Sequence, residues 1–98
     1  MTTDAFKELF NTILQRSKSQ NNNSYTKKLI KEGPKKIAQK VGEESAELVV
    51  DYLKGTKKRT IEEAVDLIYH LFVMLHSKKI KYNEIEKEII RRKNVRRK

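Results

Sequence analysis

Between Thr60 and Ser77 the chain is apolar over almost the whole circumference of a helix. At about 100° per residue, Ile61, Ala64, Val65, Leu67, Ile68, Tyr69, Leu71, Phe72, Val73, Met74 and Leu75 leave a narrow polar strip of Glu62, Glu63, Asp66 and His70. A helix with so little polar surface has to be covered on most sides. A chain of 98 residues buries only a modest part of its surface and is poorly placed to supply that cover alone. The strip is therefore expected to be buried too, with its carboxylates paired or holding a cation, because an isolated buried charge is too costly.

The rest of the sequence reads as further helices. Residues from about Asp4 to Arg16 place Phe6, Leu9, Phe10, Ile13 and Leu14 at helical spacing. "SKSQNNNS" (Ser17 to Ser24) is polar and low in complexity, and is expected to be a mobile loop. Tyr25 to Ile30 suits a turn or two of helix with Ser24 as N-cap. Gly33-Pro34 breaks the chain and opens a helix to about Leu53, ending near Gly55. The next helix starts at Lys57 or Thr60, and a last one starts with Asn83 as cap and Glu86 three residues on. One proline and three glycines agree with an all-α fold. The expected architecture is one domain, residues 1–98, forming a helical bundle completed by dimerisation.

The stretch "KVGEESAELVV" (Lys40 to Val50) gathers glutamates in a chain of net charge +10. Glu44 and Glu47 are three apart and share a helix face; Glu63 and Asp66 repeat that spacing. A short connection over Lys54 to Arg59 makes the two helices antiparallel neighbours. Counting from that turn sets Glu47 level with Asp66 and Glu44 level with His70. Four carboxylates between two helices suit a hard divalent ion such as Mg²⁺. Two plainer readings stand beside this one. The glutamates can pair with neighbouring lysines on the surface, and Thr60 with Glu63 can form a capping box. His70 alone fits a core position more readily than a ligand.

Charge and composition narrow the function classes. Lys27, Lys28, Lys31, Lys35, Lys36 and Lys40 precede the acidic stretch, and "RRKNVRRK" (91–98) forms a basic tail. Such clusters attract phosphates of any kind. The tail lacks the interleaved aromatics of a single-strand binder, so a nucleic-acid-binding role is the lesser expectation. There is no cysteine, hence no thiolate metal site. No stretch approaches the roughly 20 apolar residues of a membrane span. "MTTDAFKELFNTILQRSK" does not read as a secretory signal; the expected location is the cytoplasm.

The pattern Glu44-x-x-Glu47, then Glu63-x-x-Asp66, is similar to the signature of the all-α (MazG-like) nucleoside triphosphate pyrophosphohydrolases. Ser24-Tyr25-Thr26, the Gly33-to-Ile37 stretch, Lys40 to Glu44, and Asp66 to Leu71 narrow this. Across residues 6 to 90 the text resembles the phosphoribosyl-ATP pyrophosphohydrolase family of histidine biosynthesis. The resemblance implies Mg²⁺-dependent hydrolysis (Mn²⁺ being a possible substitute) of phosphoribosyl-ATP to phosphoribosyl-AMP and pyrophosphate. It implies Glu44, Glu47, Glu63 and Asp66 as metal ligands, with Glu43, Glu44 and Glu47 in the catalytic group. Glu43 is then the candidate to orient or deprotonate water. Tyr25, Thr26, Lys36, Lys40 and His70 are the implied contacts to the nucleotide. Family relatives often assemble four-helix bundles across a dimer. The implied alternative is a housecleaning enzyme of other nucleoside triphosphates. Ser45 in place of an expected alanine, the basic connection "KGTKKR" and the tail depart from the pattern, and all are expected to lie clear of the acidic constellation. A cyclohydrolase domain, often fused in this family, has no room here, and that activity is expected on a separate polypeptide.

Overall fold

The computed structural model describes residues 4–20 and 24–95. These form five helices: α1 Ala5–Lys18, α2 Tyr25–Glu32, α3 Pro34–Lys54, α4 Lys57–Ser77 and α5 Tyr82–Asn94. The described residues contain no strand, and none of the helices is long and apolar enough to cross a membrane. The all-α expectation holds.

Local chemistry explains where the helices begin. The Asp4 side chain accepts a hydrogen bond from the Lys7 backbone N–H at 3.1 Å, and Ser24 accepts one from Lys27 at 3.3 Å. Both satisfy backbone donors that have no partner within the helix. Gly33 joins α2 to α3 at φ 103°, a conformation open to a residue without Cβ. Its N–H donates to the carbonyls of Leu29 and Ile30, and its own carbonyl accepts from Ile37. Pro34 then occupies the first helical position, as expected.

Helix α4 starts at Lys57, one of the two positions expected, and two other boundaries differ from expectation. Thr56 caps α4, accepting from the Arg59 N–H at 3.1 Å, so Thr60 lies one turn inside the helix and forms no capping box. Its hydroxyl donates instead to the carbonyls of Asp51 and Thr56. The last helix begins at Tyr82 behind Lys81, which makes no side-chain cap, and Asn83 is already helical. Ser17 and Lys18 extend α1 rather than opening a loop. The Ser17 hydroxyl bonds the Leu14 carbonyl at 2.7 Å and lies 3.0 Å from His76 Nε2. Of the loop expected over 17–24, residues 21–23 lie outside the described part, as do 96–98 of the tail.

The antiparallel hairpin of α3 and α4 is the dominant packing, and α1 and α2 lean against it. Phe10 and Ile13 from α1, Leu29 from α2, Ile37 from α3, and Phe72 and Val73 from α4 make the buried core. Phe10 meets Phe72 edge-on with ring centroids 5.2 Å apart. This core covers one half of the hairpin only. Around the α3–α4 turn, Val49, Val50, Tyr52, Leu53, Ile61 and Val65 are exposed, Tyr52 by 74% and Leu53 by 70%. The polar strip of α4 is likewise half covered. Glu63 and His70 are buried as expected; Glu62 and Asp66 are exposed.

Candidate active site

The site lies between α3 and α4 because both helices carry acids three residues apart on the faces they turn to each other. Glu44, Glu63 and Asp66 each bring a carboxylate oxygen within 4.8 Å of the others. Glu44 and Glu63 are only 8% and 4% exposed. The register is not the one counted from the sequence. Glu44 meets Asp66 rather than standing level with His70, and Glu47 lies beside Glu63. The cause is the short connection: with α4 starting at Lys57 rather than Thr60, only Gly55 and Thr56 link the helices, which moves every facing pair toward the turn.

The electrostatics are those of anions held close together. Burial, and then the neighbouring Glu47 carboxyl, raise the Glu63 pKa above the ordinary carboxylate range, against the lowering effect of Arg59. No hydrogen-bond donor reaches Glu44 Oε1 or Glu63 Oε1, although both atoms are buried. Buried oxygens left in this way carry a desolvation cost that a cation would relieve. A donor set made of carboxylate oxygens alone, without sulfur or imidazole, suits hard ions such as Mg²⁺ or Mn²⁺.

Next to the acids lies a basic cavity of about 320 Å³, lined by Tyr25, Lys28, Lys36, Gln39, Lys40 and Glu43, among others. Lys40 joins the two regions, with its Nζ 3.5 Å from Glu43 and 3.8 Å from Glu44. Burial acts to lower the Lys40 pKa, but Tyr25, Glu43 and Glu44 outweigh it and hold the ammonium above its usual range. Glu43 is exposed and turned toward the cavity, not toward the other acids. Gln39 Nε2 donates to it at 2.8 Å, and this bond, with Lys40, lowers its pKa.

Tyr25 and His70 form a second link. His70 Nδ1 is 2.8 Å from the Asp66 carbonyl, which can only accept, so Nδ1 carries the proton. Nε2 is then free to accept from the Tyr25 hydroxyl at 3.0 Å. His70 thus ties α2 to the turn of α4 that carries Asp66. Thr26 is buried, and its hydroxyl bonds that of Tyr69. Its position fits docking of α2 on α4.

Arg59 is the residue that sequence reading missed. It was counted in the basic connection and expected to lie clear of the acids. Instead its guanidinium donates to Glu63 Oε2 at 2.7 Å and to Glu62 at 3.1 Å, and stands 3.8 Å from Asp51. The signal is an arginine four residues before a glutamate, a pair that shares a helix face when α4 starts at Lys57 rather than Thr60.

The family profile described as phosphoribosyl-ATP pyrophosphohydrolase matches residues 6–93. The chain belongs to this family. Among curated proteins it is similar to the histidine biosynthesis bifunctional protein HisIE of Staphylococcus aureus (strains N315 and Mu50), at 43% identity over 88 residues. The HisIE protein of Staphylococcus epidermidis (strain ATCC 12228) is 44% identical over 88 residues. In each case the match covers 90% of this chain and 42% of the relative. The chain therefore spans about two fifths of the length of these relatives, and the word bifunctional describes those longer proteins.

Proposed function

We propose that this chain hydrolyses phosphoribosyl-ATP at its α–β phosphoanhydride bond, giving phosphoribosyl-AMP and pyrophosphate, the second step of histidine biosynthesis. The observation that carries the reading is the convergence of Glu44, Glu63 and Asp66, with Glu47 adjoining, at the edge of a lysine-lined cavity. Glu44, Glu47, Glu63 and Asp66 would hold Mg²⁺. When bound, such an ion neutralises charge on phosphate oxygens and acidifies a coordinated water.

The remaining roles belong to the chain's own groups. Lys36 and Lys40 draw the polyphosphate into the cavity and place it against the acids. Without such cations the glutamates would repel it. Tyr25, half exposed at the cavity wall and held by His70, supplies an aromatic face and a hydroxyl to the nucleotide. Glu43 stays ionised, oriented by Gln39 and Lys40, and accepts a hydrogen bond from the attacking water. Its lowered pKa makes it an orienting group rather than a strong base. We place the enzyme in the cytoplasm, as a homodimer that covers the exposed α3–α4 face.

Growth of a histidine auxotroph lacking this step tests the assignment. Expression of the chain is expected to restore growth without histidine, and expression of the Glu44→Gln variant is not. Failure to restore growth by a folded, abundant chain, with broad hydrolysis of ordinary nucleoside triphosphates, would assign it to housecleaning instead.

A further inference from the structure

The two buried glutamates are held in the same way. In each, a cation four residues earlier on the same helix stands at Oε2, and Oε1 is buried with no donor in reach: Lys40 at Glu44, and Arg59 at Glu63. The arginine contact is the tighter, at 2.7 Å against 3.8 Å. Arg59 is also fixed by two further acids: its other terminal nitrogen bonds Glu62 at 3.1 Å, and the nitrogen on Glu63 stands 3.8 Å from Asp51. A planar fork with three acidic partners is a poor swinging arm and a good clamp.

We propose that Arg59 determines which divalent ion the site accepts, by occupying one oxygen of Glu63 and leaving it a single oxygen to offer. The inference rests on the reading of Glu44, Glu63 and Asp66 as ligands. Mg²⁺ demands a near-octahedral set of single oxygens and keeps waters; Ca²⁺ takes more ligands at longer distance and accepts both oxygens of one carboxylate. A Glu63 clamped at Oε2 serves the first ion and penalises the second. Arg59 is thus a positioning residue that acts through Glu63, in the manner of groups that orient metal ligands from behind.

Two other roles for Arg59 make different predictions. As a mere positive charge it would oppose every divalent ion alike, and its removal would tighten Mg²⁺ and Ca²⁺ equally. As a mere tie between α3 and α4 it would weaken both equally on removal. Only the clamp alters their ratio.

The test is competition of Mg²⁺ and of Ca²⁺ against Mn²⁺ on the full chain, read by electron paramagnetic resonance of free Mn²⁺, with no substrate present. Arg59→Met is expected to shift the ratio of Ca²⁺ to Mg²⁺ affinity toward Ca²⁺ by ~10-fold or more. Arg59→Lys, which restores a donor at this oxygen, is expected to return most of the shift. Arg59→Ala serves where the methionine variant folds poorly, the side chain being 55% exposed. A ratio unchanged in a folded variant overturns the proposal, whether both affinities rise, fall or stay. Wild-type protein that binds no Mn²⁺, or Glu63→Gln binding Mn²⁺ as wild type does, would instead reject the ligand reading, and the proposal with it.

Discussion

Glu63 concentrates the conflict of charges at this site. Its carboxyl is buried beside Glu47 and close to Asp66, and its pKa is raised by burial first and by those neighbours after. An acid whose pKa is higher folded than unfolded favours the fold fully below its unfolded value. That contribution is lost as pH rises through the folded value. Metal-free protein is therefore expected to become more stable as pH falls through the range where Glu63 takes up its proton. Glu63→Gln should flatten this dependence and match or exceed wild type in thermal stability at neutral pH, while turnover falls by orders of magnitude. A variant that is less stable at neutral pH and normal in turnover would mark Glu63 as a structural group only. The acids themselves were legible in the sequence, since their spacing of three places them on one face. Their partners were not. Facing pairs depend on the length of the turn, and the cap at Thr56 moved Glu44 opposite Asp66. Arg59 was lost to the same shift, and the turn of Glu43 toward the cavity depends on Gln39 and Lys40.

At the scale of the helices, start signals were readable in part from the residues whose side-chain oxygens make the caps. Ser24 does so where expected, Asp4 caps the helix expected from about that residue, and Gly33-Pro34 separates α2 from α3. Asn83 failed as a signal because α5 begins at Tyr82, behind a lysine with no side-chain cap bond. Thr56→Ala should lower stability by about 1 kcal/mol, measured by chemical denaturation, whereas Asn83→Ala should change it little. The opposite order would contradict the assigned boundaries. In α5 the Glu88 carboxyl is held at about 2 by hydrogen bonds from Arg91 and Arg92. A depressed acid contributes stability above its ordinary value near 4.5 and loses it as pH falls through about 2. Glu88→Gln is therefore expected to reduce helix content at neutral pH. By circular dichroism, the difference from wild type should vanish near pH 2. A difference that persists there would mean that Glu88 acts through packing.

The molecule as a whole is more open than a compact chain of its length. Its radius of gyration is 15.1 Å, against about 13 Å for a compact chain of this length. The apolar face formed by Val49, Val50, Leu53, Ile61 and Val65 lies next to the acidic site and is left exposed among the described residues. The nearly all-apolar pattern of α4 announced this face in the sequence, but not which half of the hairpin the chain itself would cover. In the proposed homodimer, Val65→Glu should weaken association without touching the buried core, whereas Phe72→Glu should prevent folding, since Phe72 packs on Phe10. Sedimentation of Val65→Glu as a folded, weakened dimer is the expected result, and a wild-type chain that is an active monomer at micromolar concentration would reject the assembly. The central claim concerns the chemistry and is tested most directly by product analysis. Phosphoribosyl-ATP incubated with the chain should give one pyrophosphate for each phosphoribosyl-AMP, only with Mg²⁺ or Mn²⁺ present. ATP should be hydrolysed far more slowly, and Asp66→Asn should abolish the reaction. Release of orthophosphate in place of pyrophosphate, or equal turnover of ATP, would contradict the account.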